Sequence, residues 1–244
     1  MTKAILENIL QLVIVLPIII LTFKKWNDVN IKILLAFIVF VILNHFLLYL
    51  PLVYPETRII NGNWNWSGKI YSILGAIAFL AVYRKFPLKD YFLTIKSKKG
   101  FWKNGLLIVG AVFIYTMVSS YFWDREYLNM ETLFFQFTMP GIDEEIAFRG
   151  IMLGLLLKVL KNKIVIFKMT LISPPILVTS ILFGLAHGFS LDNDYQIVFN
   201  LEPFLRTAIY GIIWAWITIK SGNILLALLS HNFNNGFGTL ISMR

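Results

Sequence analysis

Polar residues that have a motif partner four positions away occur three times in the second half of this chain. They form the pairs Glu145 and Arg149, Phe183 and His187, and His231 and Asn235, and Glu144 directly precedes the first pair. Residues four apart lie on one face of a helix, so the members of a pair can act at one point. Ionisable groups are costly inside apolar segments and are functional candidates by default.

These residue types favour hydrolytic chemistry. A carboxylate beside an imidazole can take a proton from water and direct the hydroxide at a carbonyl carbon, and we assign this role to Glu144 and His187. His231 and Asn235 could donate hydrogen bonds to the oxyanion that then develops. The pattern therefore predicts a site at which activated water attacks a carbonyl carbon.

The first pair has a supporting role in this interpretation. Arg149 is expected to form a buried ion pair with Glu145 and to hold it ionised. Glu144, about 100° further around the helix, then stays free for chemistry. Gly184 and Gly188 leave room for close approach of another helix or of substrate.

A zinc site is the alternative for the same side chains. Glu144, His187 and His231 could ligate Zn²⁺, because catalytic zinc sites use three protein ligands of this kind and a water. The chain has no cysteine, so thiolate ligands and disulfides are excluded. The sequence does not decide between zinc and metal-free catalysis by glutamate.

The elements that carry these residues are predicted to be membrane spans. The chain is 58% hydrophobic and 14% charged, whereas soluble domains average about 45–50% and 25%. We predict an all-α, polytopic integral membrane protein with about eight transmembrane helices in a single domain, 1–244. The spans are about 5–23, 33–53, 70–83, 105–122, 142–160, 170–187, 203–219 and 224–243. The third is short and is expected to borrow from Trp64, Asn65 and Trp66, and the first is interpreted as a retained span.

Loop charges predict the orientation, because Lys and Arg accumulate on the cytoplasmic side. Four loops are basic, and they contain Lys24, Lys25 and Lys32; Arg84, Lys85, Lys89, Lys96, Lys98, Lys99 and Lys103; Lys158, Lys161, Lys163 and Lys168; and Lys220. The alternate loops contain Glu56, Arg58 and Lys69; Asp124, Arg125, Glu126 and Glu131; and Asp192, Asp194 and Glu202. Both termini are therefore predicted outside, and the net charge of +9 reflects topology rather than nucleic-acid binding.

The polar residues are also expected to meet at one depth. At about 1.5 Å per residue, Glu144 and His187 lie roughly 21–22 Å above the predicted cytoplasmic ends of their spans. His231 and Asn235 come out lower, at about 10 and 16 Å, a difference that helix tilt can absorb. The predicted site therefore lies between mid-membrane and the outer leaflet.

The three motifs resemble those of the CPBP (formerly Abi) intramembrane proteases, which include the Rce1-type CAAX prenyl endopeptidases. That family has Glu-Glu-x-x-x-Arg, Phe-x-x-x-His and His-x-x-x-Asn or Asp, and all three occur here in order. The resemblance implies that 130–240 is the catalytic core behind N-terminal spans in 1–122. It also implies that Glu144 and His187 activate water, that His231 and Asn235 form the oxyanion hole, and that Glu145 and Arg149 support them.

The expected partners are a peptide or protein substrate at the membrane and the lipid bilayer, with no nucleic acid. A bacterial plasma membrane is the expected location. Two alternatives remain open, a non-catalytic partner such as a bacteriocin self-immunity protein or scaffold, and a small transporter. His45 and Asn44 in the second span are interpreted as polar packing.

Overall fold

The computed structural model describes residues 1–98, 100–122, 127–161, 165–166, 169–170 and 173–243. Some charged residues used to predict the topology lie outside these ranges, namely Lys99, Asp124, Arg125, Glu126, Lys163 and Lys168. Residues 171–172 of the predicted sixth span lie outside them as well.

The described chain is almost entirely helical. Its α-helices are α1 (Thr2–Thr22), α2 (Asp28–Val53), α3 (Trp66–Val82), α4 (Phe101–Tyr121), α5 (Met130–Glu144), α6 (Leu153–Val159), α7 (Pro174–Gly188), α8 (Leu201–Ser221) and α9 (Leu225–Ser242). A π-helical segment, Glu145–Met152, joins α5 to α6, and short 3₁₀ turns occupy Pro55–Thr57 and Leu88–Tyr91. Two antiparallel hairpins pair β1 (Val165–Ile166) with β2 (Met169–Thr170), and β3 (Phe189–Leu191) with β4 (Ile197–Phe199).

Three of the described helices, α1, α2 and α4, are long and apolar enough to cross a membrane. In the most apolar 18-residue stretch of each helix, only 33%, 28% and 17% is buried, in that order. Most of each helix therefore presents apolar side chains outward. The helices α3 and α7 are apolar but shorter. The predicted all-α membrane class is therefore supported, while the number of eight spans stays a prediction.

The helix that carries Glu144 begins at Met130, so the predicted start of this span near 142 is wrong. Asn129 explains the difference, because its side chain accepts a hydrogen bond from the backbone N–H of Thr132 at 2.9 Å and so satisfies a donor that the helix leaves free. Glu144 therefore lies in the middle of a helical stretch from 130 to 159.

Asn232 on α9 holds α5 next to Pro140, a residue that lies inside the helix and lacks a backbone donor. The Asn232 side chain accepts a hydrogen bond from the backbone N–H of Gly141 at 2.8 Å and donates one to the carbonyl of Thr138 at 3.0 Å. A Cβ on Gly141 would lie 2.5 Å from the Asn232 Oδ1 atom. Glycine at this position thus allows the close contact between α5 and α9.

Helical winding changes directly after Glu144. The segment Glu145–Met152 is a π-helix, a rare form that often occurs at functional sites. It includes both Glu145 and Arg149, which are buried. The irregular turn therefore coincides with the first of the three motifs.

The core lies between α1, α2, α6 and α7, where it includes Val15, Phe37, Phe40, Leu155 and Val178. On its other side α7 packs closely along α8. A Cβ on Gly188 would lie 2.6 Å from the Cβ of Phe204, and one on Gly184 would lie 2.8 Å from the Phe204 carbonyl oxygen. The close helix approach predicted from these two glycines is confirmed.

Candidate active site

Glu145 is fully buried and has a cationic or imidazole partner at each carboxylate oxygen. Its Oε2 atom lies 3.3 Å from Nε of Arg149, which is the ion pair predicted from their spacing. Its Oε1 atom lies 2.8 Å from Nδ1 of His231 on α9. This second contact joins two motifs and depends on helix packing, so spacing within one helix did not predict it.

Aromatic rings surround the guanidinium of Arg149, which is 1% exposed. Its central carbon lies 4.1 Å from the ring centre of Phe183 and 5.3 Å from that of Trp214. Its two terminal nitrogens make no hydrogen bond with the described residues. Cation–π attraction and the Glu145 carboxylate therefore stabilise this buried charge.

The imidazole of His231 lies between the two neighbouring glutamates. Its Nδ1 atom bonds to Glu145, and its Nε2 atom lies 3.7 Å from Oε2 of Glu144. The ring stacks on Trp214 with centroids 4.2 Å apart and an angle of 17°. The indole N–H of Trp214 donates to Ser230 Oγ at 3.1 Å, and this bond also holds the ring on which His231 stacks.

The imidazole of His187 faces the same space from the end of α7. Its Nδ1 atom lies 2.9 Å from the carbonyl oxygen of Phe183, and a carbonyl can only accept, so Nδ1 carries the proton of this bond. The Nε2 atom is then available on the other side of the ring. His187 is exposed to the cavities described below, and the ring of Phe183 packs edge-on against it with centroids 4.7 Å apart.

Three asparagines on α9 have distinct surroundings. Asn232 binds α5, as described above, and Asn234 donates to Ser230 Oγ at 3.4 Å. Asn235 lines the larger cavity beside His231, and within the described part of the chain its amide has no hydrogen-bond partner. The amide predicted to stabilise an oxyanion is thus the one left free.

Lys69 is a site residue that sequence reasoning missed. The prediction that it lies in an outer loop is wrong, because it belongs to α3 and is only 8% exposed. Its ammonium lies 2.7 Å from Oε1 of Glu144 and 2.8 Å from Oδ2 of Asp143. Among the described residues, Lys69 binds one carboxylate oxygen of Glu144 and only the other lacks a hydrogen bond. The sequence interpretation leaves both oxygens free.

A hydrogen-bonded chain leads from Lys69 into α2. The second oxygen of Asp143 accepts from Ser72, and the hydroxyl of Ser72 accepts from the side-chain amide of Asn44. The interpretation of Asn44 as polar packing is consistent with this bond. A signal for Lys69 was present, because Lys69 and Ser72 share one face of α3 at i, i+3 spacing in an otherwise apolar stretch.

Two cavities meet at the side chains of Lys69, Glu144 and His187. The larger has a volume of about 470 Å³ and is lined mainly by α5, α8 and α9. The smaller, of about 230 Å³, lies toward α1 and α2 and has polar lining residues Asn8, Gln11, Asn44 and His45. Glu144 and His187 thus line both cavities.

The N-terminal end of α5 is bound to the start of α3. Glu131 accepts hydrogen bonds from the indole N–H of Trp66 at 3.0 Å and from the backbone N–H of Asn63 at 2.9 Å. The bond from Trp66, with help from Asn63, holds the pKa of the Glu131 carboxyl below its ordinary value. These contacts fix the separation of the helices that carry Lys69 and Glu144.

Comparison with known proteins gives a family match for part of the chain. Residues 126–237 match the family model of the type II CAAX prenyl endopeptidases described as Rce1-like. This segment of the chain is Rce1-like. Neither the curated proteins nor the solved structures gave a match. The family match agrees with the resemblance inferred from the three motifs and implies a membrane protease.

The Rce1-like segment contains Glu144, Glu145, Arg149, His187, His231 and Asn235. Lys69, Ser72 and Asn44 lie before it, in the half of the chain that the family model does not match. The site is therefore composed of residues from both halves.

The zinc alternative for the Rce1-like site can be compared with this geometry. Within the described part of the chain, no group of three His, Cys, Asp or Glu side chains is arranged to hold a metal ion. The ammonium of Lys69 also lies against one oxygen of Glu144, where it would repel a cation. As arranged, Glu144, His187 and His231 do not fit a zinc site.

Proposed function

We propose that the protein is an intramembrane endopeptidase of the CAAX-protease type that uses water activated by Glu144 and His187. One observation carries this proposal. The Oε2 atom of Glu144 is buried and makes no hydrogen bond within the described part of the chain, although Lys69 binds Oε1. A carboxylate oxygen of this kind, on a cavity wall shared with a histidine, is suited to accept a proton from water.

The proposed reaction begins with a water between Glu144 and His187. Glu144 Oε2 takes one proton as the water oxygen forms a bond to the carbonyl carbon of the scissile peptide. The carbonyl electron pair moves to oxygen and gives a tetrahedral oxyanion. When the carbon–nitrogen bond breaks, the proton held by Glu144 passes to the departing amine.

His231 and Asn235 are proposed to stabilise that oxyanion. The Glu145 carboxylate binds Nδ1 of His231 and so orients the ring, whose Nε2 atom would donate to the oxyanion when it carries a proton. Asn235 can donate through its side-chain amide from the same cavity wall. Preorganised donors of this kind are worth a factor of about 10²–10³ in kcat.

The proposed substrate is a membrane-associated or exported peptide. The larger cavity is lined by aromatic rings, including Trp64, Phe135, Tyr210 and Trp214, together with the amides of Asn234 and Asn235. Such a lining suits an apolar peptide segment whose backbone still needs hydrogen bonds. In the predicted topology the site lies toward the outside, which favours an exported substrate at a bacterial plasma membrane.

The experiment compares membrane peptides from cells that contain the wild-type protein, no protein, or the His187→Ala variant. We expect one or a few peptides to be cut at a defined bond only with the wild-type protein. Equal peptide patterns in all three samples would contradict the proposal and favour a non-catalytic role. Metal analysis of active purified protein, together with chelator treatment, tests the proposed metal-free route, which full dependence on zinc would contradict.

A further inference from the structure

The ammonium of Lys69 binds one particular oxygen of the proposed catalytic base. It lies 2.7 Å from Oε1 of Glu144, and Oε2 of the same carboxylate makes no hydrogen bond within the described part of the chain. The two oxygens of Glu144 are therefore in different environments. A carboxylate fixed at one oxygen cannot rotate freely, so the other oxygen has a defined direction.

The Lys69 side chain is itself fixed from behind. Asp143 binds the ammonium at 2.8 Å, and Ser72 and Asn44 complete the hydrogen bonds of Asp143 from α3 and α2. Lys69 and Asp143 are 8% and 4% exposed. The geometry of the ammonium thus depends on two helices that precede the Rce1-like segment.

From these contacts we infer that Lys69 is a positioning residue for catalysis, which binds Oε1 of Glu144 so that Oε2 faces the water-activating site. The inference rests on the proposed role of Glu144 as the base. It gives the first half of the chain a direct part in the reaction. Asp143 serves to orient Lys69, not to contact the substrate.

A purely structural role for Lys69 is less well supported by the surroundings. The helices α3 and α5 are already joined at their N-terminal ends by the bonds from Trp66 and Asn63 to Glu131. A buried ion pair is weak evidence for stability, since desolvation can exceed the attraction between the charges. An ammonium in this apolar region is therefore better explained by what it does to Glu144.

The test separates positioning from charge neutralisation. The Lys69→Met variant keeps an unbranched side chain of nearly the same length but removes the ammonium, and we expect kcat on a cleaved peptide to fall about 100-fold with KM unchanged. Because this variant leaves two carboxylates close together, a second variant is needed that restores the charge balance. That variant is Lys69→Met combined with Asp143→Asn.

If Lys69 positions Glu144, the double variant remains folded but its kcat stays low. Recovery of the wild-type kcat in the double variant would show that Lys69 only neutralises Asp143 and would overturn the inference. Lys103→Met, at an exposed lysine of α4, is the matched control and should keep the wild-type kcat.

The Glu144→Gln variant, measured in parallel, separates this inference from the proposed function. Wild-type cleavage by Glu144→Gln would contradict the proposed function whatever Lys69 does. An inactive Glu144→Gln variant beside fully active Lys69 variants would contradict only the role of Lys69.

Discussion

At the scale of single residues, two adjacent glutamates differ in their surroundings. Glu145 is bound by Arg149 at one oxygen and by His231 at the other. Glu144 is bound by Lys69 at one oxygen only. Neighbouring carboxylates in different environments can take different roles, so Glu145 is suited to orient His231 and Glu144 to act on water.

The asparagines of α9 give a prediction at this scale. Asn235→Ala should lower kcat about 10²–10³-fold through loss of an oxyanion donor, with little change in the free energy of unfolding. Asn232→Ala should instead lower the free energy of unfolding by about 1–3 kcal/mol, because it leaves buried backbone groups of α5 without partners. Rate measurements and denaturant unfolding of both variants in detergent micelles check this contrast. Equal effects of the two substitutions on stability would contradict it.

The buried ion pair gives a second prediction. Arg149→Met leaves Glu145 without its guanidinium partner, and loss of one partner of a buried pair costs about 3–5 kcal/mol. Arg206 and Glu202 form an ion pair of the same i, i+4 spacing on the surface of α8, at 2.7 Å. Arg206→Met is the matched control and should cost at most about 1 kcal/mol. Thermal unfolding of both variants is the measurement, and similar losses would show that burial of the pair is unimportant.

The sequence predicted the residues of the site better than their contacts. Spacing within a helix was sufficient to predict the ion pair of Glu145 and Arg149. The order of the motifs selects Glu144, His187 and His231 as candidates, and the structure places all three on the wall of one cavity. Neither the spacing nor the motif order predicts the bond between His231 and Glu145 or the contact of Lys69 with Glu144. Those contacts depend on how separate helices pack, and one chain read alone does not give that packing.

At the scale of elements, capping residues decide where the site helices begin. Asn65 caps α3 and Asn129 caps α5, each through its side chain. Hydropathy placed the starts of these two spans at 70 and 142, because it detects apolar content and not caps. Both helices begin directly after their capping residues. Lys69 therefore lies inside α3, and Glu144 lies in the middle of its helical stretch.

The contact between those two helix starts gives a prediction about pH. Hydrogen bonds from Trp66 and Asn63 lower the pKa of Glu131 in the folded protein from its ordinary value of 4.5. A lowered pKa means that this contribution to stability is present above pH 4.5 and is lost as pH falls through the folded pKa. The wild-type protein should be more stable than Glu131→Gln near neutral pH, and the difference should shrink on acidification. Unfolding midpoints of both proteins over a pH series check this, and a difference independent of pH would contradict it.

At the scale of the whole molecule, the basic loops predict which side of the membrane each end occupies. The chain has no cysteine, so single cysteines can be introduced and labelled without background. Lys89→Cys should react with an impermeant reagent only from the cytoplasmic side, and Asp194→Cys only from outside. Both positions are exposed. Labelling of both from the same side would contradict the predicted topology but would leave the catalytic proposal intact.

The two halves of the chain are joined at the site as well as by packing. The motifs of the Rce1-like segment supply the groups proposed to act on the peptide. From the other side, α3 supplies Lys69, which binds Glu144, and α2 supplies Asn44, which binds Ser72 behind it. Composition was sufficient to predict a helical membrane protein. The contact of Lys69 on α3 with Glu144 depends on how these helices pack, which composition does not predict.

The most direct test of the account is the rate of peptide cleavage by purified Glu144→Gln in lipid vesicles, with the wild-type protein and Glu202→Gln measured beside it. Glu202 lies on the exposed surface of α8, so its substitution should keep the wild-type rate. We predict that Glu144→Gln loses a factor of about 10²–10⁴ in kcat while its melting temperature shows that it is folded. Wild-type cleavage by folded Glu144→Gln would contradict the assignment of Glu144 as the base.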